Sequence, residues 1–588
     1  MDPHQREMAE DLLFSEKKNP SLAKMLFFGK LDPTQVFPFP AVSEQEIQDT
    51  EALLAKVNDF ADQNINPDQI DLKAEIPAKV MNGLGKLGVL GMTIPKKFGG
   101  LGMSQYAYCR ITEALARRCG STALFVNAHQ SIGLKALLLF GTEEQKRRWL
   151  PSLARGEDIA AFSLTEEEAG SDASGITTRA TYDSARNLYV INGKKQWTTN
   201  GSIAKVLTVM ALTEVDTPKG KQDKVTAFLV TPTMPGFKIT AVGLEKVGMR
   251  GTRTSNLEFK NMEVPEANIL GPLGGGLKVC LTVLDYGRTT FGATCTGAAK
   301  FLVEKAIEHA KTRYQFKRPL ASFALVKKKI ANMTALVYAM DATTYFTAGL
   351  VDQHIEDFML ESAMLKVFAS DSLWTILYDT MQIYGGRSFF TNYPFERMMR
   401  DARLNMIGEG SNEVMRAFIG LVGMRDVGMH LKEDVDLLKN PFGDFKKLFE
   451  TGSAYFSRLQ TPSIPTIPAL ENETHQLSKN IRVFGLAIIR LLAQEREGVF
   501  EKQLALDRIS TAAMTLYTSL AVLSKLSAEE KQQSPTFKQN LSIGKHYFRM
   551  AQELFDQSMH TLFTNKDYVT EELSDQLTTL KDLWNPKK

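Results

Sequence analysis

The 588-residue sequence is short of the residues on which several kinds of chemistry depend. Its four cysteines, Cys109, Cys119, Cys280 and Cys295, have no CxxC spacing, so they read as reduced thiols and exclude a disulfide frame or a zinc site. The eight histidines contain no HExxH or HxxxH pair, and no metal site is expected. The nucleophile signature GxSxG is missing, and GGLG at 99–102 follows no strand and reads as a turn. Charge is nearly balanced, 70 Lys and Arg against 67 Asp and Glu, which leaves no global field for nucleic acid. Long apolar runs are scarce: FGLAIIRLLA (484–493) is broken by Arg490 and too short to span a bilayer. The first residues lack the apolar core of a secretory signal, and Asp2, Glu7, Glu10 and Asp11 argue against a transit peptide. These absences predict a protein that is soluble, or at most peripheral to a membrane, whose chemistry rests on carboxylates or on a cofactor.

What is present is the composition of a folded globular protein, 44% hydrophobic and 23% charged, in a chain long enough for three or four domains. From about 43 to 150, apolar residues recur at spacings of three and four, as in EALLAKVNDFADQ and KVMNGLGKLGVLG, which predicts helices. From 160 to 270 the texture changes. YVINGKKQWTTNG, KVLTVMALT and KVTAFLVTP alternate apolar and polar residues between Gly, Pro and Asn, which predicts short antiparallel strands. GPLGGG (271–276) opens a return to long amphipathic helices, and TPSIPTIPAL (461–470) reads as an extended linker before a last helical segment. The fold class is therefore α+β with segregated domains. The expected divisions are a leader, 1–42; a helical domain, 43–160; a β domain, 161–275; a helical bundle, 276–435; an amphipathic, Pro-rich linker, 436–475; and a separate helical extension, 476–588.

Three stretches hold candidate site residues. MIGEGSNEVMR (406–416) sets Glu409 between two glycines ahead of a helix. One reading is capping, with Ser411 or Asn412 as the cap and Glu413 in the first turn. The other is an acid with a chemical task. AFSLTEEEAGSD (161–172) gathers Ser163, Thr165, Gly170, Ser171 and Asp172, and GKKQWTTNGS (193–202) puts an indole beside two threonines. These read either as decorated turns with Trp197 in a β core, or as a surface for a flat aromatic cofactor whose polar edge meets hydroxyls and amides.

Seven ordered motifs resemble the acyl-CoA dehydrogenases between about Val36 and Asp426: FSLTEEEAGSD, KQWTTNGS, EKVGMRGTRTSNLEF, VPEANILG, RYQFKRPL, MQIYGGRSF and RDARLNMIGEGSNEVMR. NAHQSIG followed by LLLFGT, the DPTQVFPFP leader, KNPFG at 439–443 and the long C-terminal extension resemble the very-long-chain branch. The resemblance implies an N-terminal helical domain, a central antiparallel β domain, a C-terminal four-helix bundle and an additional C-terminal helical domain, with FAD as cofactor. It implies α,β-dehydrogenation of long- or very-long-chain acyl-CoA to trans-2-enoyl-CoA in fatty acid β-oxidation, electron-transfer flavoprotein as electron acceptor, and a homodimer. By matching position, Phe162, Leu164, Thr165 and Ser171 line the flavin, Trp197 and Thr199 lie against its ring, and Ser411 and Glu413 meet FAD beyond the catalytic loop. Arg313, Phe316, Gln382 and Gly386 reach the FAD of a neighbouring subunit. Ser171, Asp285, Arg288, Gly408 and Gly410 face the substrate, and Glu409 is the catalytic base. Some branches carry the base on the earlier helix, at the position held here by Gly287, which has no group to accept a proton.

The sequence departs from the family pattern at Lys317, at Glu167 and Glu168, and at Arg387 and Ser388. Lys317 and Arg387 read either as pyrophosphate partners or as solvated cations. Ala123 and Asn127 stand where the very-long-chain branch has glycine at the foot of the acyl pocket. LLKNPFGDFKKLFETGSAYFSRL, within about 438–470, reads either as a packed helix or as an interfacial anchor for peripheral membrane contact. The alternatives in function are an assembly scaffold with the same fold and an acyl-CoA oxidase. The simplest location is a bacterial cytoplasm with contact to the inner membrane face, or the mitochondrion for a mature eukaryotic form.

Overall fold

Hydroxyl and amide side chains set the starts of the N-terminal helices. Ser43, Asn66 and Ser104 each accept the backbone N–H three residues on, and Thr142 and Gln145 form a reciprocal capping box. The helices they open, Glu44–Asn64, Pro67–Lys73, Gln105–Arg118 and Glu143–Arg155, turn Leu53, Val57, Ile70, Ile111, Leu115 and Leu150 inward. Between them, Gly120–Phe140 is long and apolar enough to cross a membrane, yet 72% of its most apolar window is buried inside the protein. That stretch includes a π-helical turn, Ala128–Leu134. His129 lies within the turn, its Nε2 3.1 Å from the Leu90 carbonyl and its Nδ1 accepting the Ala160 N–H at 3.0 Å. Only the neutral Nε2–H tautomer serves both partners, and burial pushes this imidazole down to about 4.

The computed structural model describes residues 21–439 and 460–580. These fall into two compact units. The first holds 34–415 together with 521–547 and Ser21, and the second holds the described parts of 22–33, 416–520 and 548–588.

In the first unit, alternation of apolar and polar residues builds one twisted sheet of strands β1 (Ala160–Ser163), β2 (Arg179–Asp183), β3 (Leu188–Thr199), β4 (Val206–Thr217), β5 (Gly220–Val230), β6 (Phe237–Ala241), β7 (Thr254–Pro265) and β8 (Ile269–Leu270). The order is β6-β7-β3-β2-β4-β5-β8, with β1 also on β4. Most neighbours are antiparallel, as expected, but β1 and β2 both run parallel to β4 and share its edge end to end. The chain between them, 164–178, therefore leaves the sheet and returns to the same edge, which is why it forms a long loop beside β3. Tyr189, Phe228, Leu257, Phe259 and Val264 fill one face, and Met210, Val225, Ala227 and Leu229 pack the other against helices.

Three long helices, Gly276–Thr312, Ala324–Asp352 and Met359–Tyr384, and the shorter Phe395–Asn405 follow, packed through Leu302, Met340, Leu365, Leu373 and Ile376. Asp341 is buried among them with ion pairs to Lys300 and to Lys525. Burial raises its carboxyl, but the two ammonium groups win and hold it well below the usual carboxylate range. Lys525 belongs to the helix Gln503–Lys531, so the C-terminal extension is not separate along its whole length: 521–547 clusters with the first unit. A buried carboxylate that needs a second cation is the physical reason.

In the second unit, the short helix Leu22–Phe27 buries Leu22, Leu26 and Phe27, and the Phe27 ring meets Phe484 edge-on at 5.1 Å. Arg508 grips Asp567 through two bonds of 2.6 Å. Ile464, Ile467 and Leu470, from the Pro-rich stretch, are buried. The remainder of the amphipathic segment, 440–459, lies outside the described residues.

Candidate active site

The helix Phe395–Asn405 ends in a series of turns, and a new helix begins at Asn412. Between them Glu409 adopts φ +57° and Gly410 φ +97°. A left-handed glutamate is disfavoured and persists only where its surroundings fix it. Two buried cations do so here. Arg288 Nε donates to the Glu409 carbonyl at 3.2 Å, and Lys366 Nζ donates to the Gly410 carbonyl at 2.6 Å and to Asn412 Oδ1 at 2.8 Å. Asn412 Nδ2 donates in turn to Ser370 Oγ and to Asp371. Capping falls to Ser411, whose Oγ accepts the Val414 N–H at 3.5 Å, and Glu413 is exposed. The carboxylate is left over: Glu409 Oε2 is buried with no hydrogen-bond partner among the described residues. Burial pushes this carboxyl up to about 7, against the opposing pull of Arg288 and Lys366.

Opposite the carboxylate stands Gly287. A Cβ built there would lie 2.4 Å from Glu409 Oε2, so only glycine leaves the acid its place. The next residue, Arg288, is 4% exposed and also donates to Asp285 Oδ1 at 3.0 Å, which accepts from Ser362 Oγ as well. Asp285, Arg288, Gly408, Glu409 and Gly410 thus come together as one group. No acceptor takes up the Glu409 backbone N–H among the described residues.

The two stretches from the β region also meet. Gln196 N–H donates to the Thr165 carbonyl at 2.9 Å, and Lys195 Nζ donates to the Leu164 carbonyl at 2.8 Å. The β3–β7 register slips between Lys195 and Thr198, and Trp197 takes φ +57° within that bulge. The bulge turns the indole outward, leaving it 62% exposed where a core indole would be covered. Thr165, Leu164 and Thr199 are half-buried, Phe162 is buried, and Ser171 is exposed on the loop. A Cβ at Gly170 would meet nothing within 4 Å. An open indole face flanked by hydroxyls and free loop backbone fits a flat, hydrogen-bonding ring such as a flavin.

Arg313, Phe316, Gln382 and Gly386 form a second group. Arg313 follows the end of the Gly276–Thr312 helix, 26 residues past Gly287, or about 39 Å along the axis at 1.5 Å per residue. Arg313 and Arg387 both act on His309, which stacks on Tyr384 at 4.1 Å, so the hairpin after 312 and the turn at 385–389 are neighbours. Phe316 is 88% exposed at φ +50°, and Lys317 follows at φ +62°. This group does not share one ring site with Glu409 within a single chain. Of the departures, Ser388 bonds the Met381 and Gly385 carbonyls and finishes a helix, while Glu167 and Glu168 are exposed.

Two elements of the site were not anticipated. Lys366 sits in ESAMLKVFASDS, where one lysine in an apolar helix was the available signal. The buried pair Lys195–Glu166, at 2.7 Å, pins the 164–178 loop, and Glu166 also accepts from the Thr177 and Thr178 N–H groups. Burial raises the Glu166 carboxyl, but Lys195 and these donors outweigh it and bring it down to about 2.

Comparison with known proteins bears on this arrangement. The chain matches the acyl-CoA dehydrogenase N-terminal domain over 47–157, the middle domain over 161–262, the C-terminal domain over 274–423, and the ACAD9/ACADV C-terminal domain over 468–579. The mitochondrial very long-chain specific acyl-CoA dehydrogenase of Homo sapiens is 34% identical over 531 residues, spanning 89% of this chain and 81% of that protein. The probable acyl-CoA dehydrogenase FadE10 of Mycobacterium tuberculosis is 32% identical, spanning 98% and 91%. An acyl-CoA dehydrogenase from Bacillus anthracis, solved with FAD, superposes with a TM-score of 0.78 at 26% identity, covering 93% of this chain and 94% of that one. The chain belongs to the acyl-CoA dehydrogenase family of FAD-dependent oxidoreductases.

Proposed function

We propose that this chain oxidises long- or very-long-chain acyl-CoA thioesters to trans-2-enoyl-CoA in fatty acid β-oxidation, with Glu409 as the base that removes the Cα proton. The observation that carries this reading is the lone buried Oε2 of Glu409, held near neutral proton affinity and facing a glycine. A carboxylate of that affinity can accept a proton at physiological pH and is desolvated enough to be an effective base. Arg288 and Lys366 fix the two carbonyls around it, so the carboxylate is aimed before substrate arrives. The free Glu409 N–H is the group we assign to the thioester carbonyl oxygen, whose negative charge grows as the Cα proton leaves. Bound FAD supplies the hydride acceptor for Cβ. Phe162, Leu164, Thr165, Ser171, Trp197, Thr199, Ser411 and Glu413 would hold it, with Arg313, Phe316, Gln382 and Gly386 contributed to a second subunit's FAD. Asp285 and Arg288, with Ser171, Gly408 and Gly410, border the thioester.

In this reading the chain is a homodimer, passes electrons to an electron-transfer flavoprotein, and works in a cytoplasmic or matrix compartment with peripheral membrane contact through about 438–470. The divisions at 43–160, 161–275 and 276–435 go with it. The test is the visible spectrum of the purified protein before and after anaerobic addition of palmitoyl-CoA. Bleaching of a flavin band is expected. A flavin band that ignores acyl-CoAs of every length would favour a scaffold, and turnover with oxygen alone, yielding peroxide, would make the protein an oxidase.

A further inference from the structure

Charge is balanced over the whole chain but not locally. The stretch 311–329 carries seven Lys and Arg and no acid, whereas the helix Asp567–Thr578 carries four acids and no base. Arg508 holds the first residue of that acidic helix, Asp567, yet no residue of the helix is buried. Val569, Leu573 and Leu577, with Leu580 just past the helix end, recur at spacings of four and three and form one exposed apolar stripe. Glu572 and Asp575 border the stripe, exposed and without an ion-pair partner among the described residues. A helix of this length is marginal in water by its own propensity, and packing of its apolar face is what ordinarily sustains one. The stripe therefore calls for an apolar cover rimmed with positive charge.

The basic stretch offers such a cover. Its hairpin leads into the helix Ala324–Asp352 through Phe323, whose ring meets Phe316 edge-on at 6.1 Å and lies under the Arg318 guanidinium at 3.9 Å. In the first turn of that helix Leu325 is exposed, and Lys328, three residues on, shares its face. Lys327 and Lys328 are both exposed and have no ion-pair partner among the described residues. This surface continues the end of the chain that carries Arg313 and Phe316, the residues assigned above to a second subunit's FAD. In that reading the molecule that meets this surface is a second copy of the chain, and that copy carries the acidic helix.

Resting on the dimer reading, we propose that the helix Asp567–Thr578 docks on a second copy of this chain, with Leu573 and Leu577 against Leu325 and with Glu572 and Asp575 facing Lys327 and Lys328. By two-fold symmetry each copy gives one helix and receives one. All four native cysteines are buried, so thiols introduced at exposed positions are the ones a short bismaleimide reaches. The test treats the FAD-loaded full chain with that reagent as Leu325→Cys, as Leu573→Cys and as the double variant, then reads mass on a denaturing gel. The double variant alone is expected to give a covalent dimer. Adding Glu572→Lys and Asp575→Lys to it should cut the yield at least about fivefold, because the charges that orient the contact are then reversed. A covalent dimer from Leu573→Cys alone would show the helix paired with itself. A double variant linked within its own chain, not linked at all, or indifferent to the charge reversal would likewise overturn the proposal. Light scattering separates the two readings: a dimer that does not link overturns the docking alone, whereas a monomer overturns the homodimer as well.

Discussion

Glu409 holds a proton more tightly in the folded chain than an ordinary glutamate does, because burial lifts its carboxyl to about 7. In the role we propose, the deprotonated form is the base, so kcat/KM for palmitoyl-CoA should rise with pH through about 7 and level off above it. A profile flat from pH 6 to 8 would contradict this. Glu409→Gln should keep flavin while slowing its reduction by acyl-CoA on the order of 10²–10⁴-fold in stopped-flow bleaching. Stability moves the other way. A carboxyl raised by folding favours the native state below its unfolded value and loses that contribution as pH climbs through 7. At pH 8 the glutamine variant should therefore be more stable than wild type, on the order of 3 kcal/mol, with the gap closed below pH 4.5. Lys366 draws the Glu409 carboxyl down through its charge while holding the Gly410 carbonyl. Lys366→Met should then move the midpoint of the pH profile upward, and a downward movement would contradict that role. Glu409 could be read from its motif and its glycines. Lys366 could not, since a lysine in an apolar helix looks the same whether its ammonium reaches solvent or a buried carbonyl.

The loop 164–178 is the element on which flavin contact depends in this reading, and the buried ion pair Lys195–Glu166 stands at the centre of its attachment to β3. Lys195 reaches from β3 to Glu166 and to the Leu164 carbonyl, and Glu166 in turn collects the N–H groups that close the loop. Removing one partner strands the other in a buried position, so Glu166→Gln or Lys195→Met should cost about 3–5 kcal/mol in unfolding titrations and release flavin more readily. A variant with unchanged stability and flavin retention would show the loop to be held elsewhere. The strands beside it were legible, because period-two alternation at β3, β4, β5 and β7 is a local signal. The parallel pairing of β1 and β2 with β4 was not, since direction depends on where the chain re-enters the sheet. The outward turn of Trp197 was hidden for a related reason: a bulge is a mismatch between two strands, and one strand's sequence does not show it.

Across the whole molecule, the long-range relations were the least visible in sequence. The C-terminal extension reads as an appendage because a Pro-rich stretch precedes it, yet Lys525 from that extension shares the buried Asp341 with Lys300, and Ser524 reaches the Val36 carbonyl. Those partners lie 184 and 488 residues apart. The same scale decides how the second group of cofactor candidates is used. The Gly276–Thr312 helix separates Arg313 from Gly287 by about 39 Å, too far for one flavin ring to meet both. Phe316, Leu325, Phe389 and Phe390 are meanwhile exposed at 88%, 77%, 80% and 63%, more apolar surface than a monomer usually shows in neighbouring segments. Both facts are met if this end of the chain packs on a partner and touches the partner's FAD. Phe316→Asp places a charge where that packing would require an apolar contact, without disturbing Glu409 or Trp197. The variant should run as a monomer in size-exclusion chromatography with light scattering, and should lose flavin absorbance in step with dimer. A monomer that keeps its flavin would mean that each chain binds its cofactor alone, and a dimer that keeps it would mean the interface lies on another face.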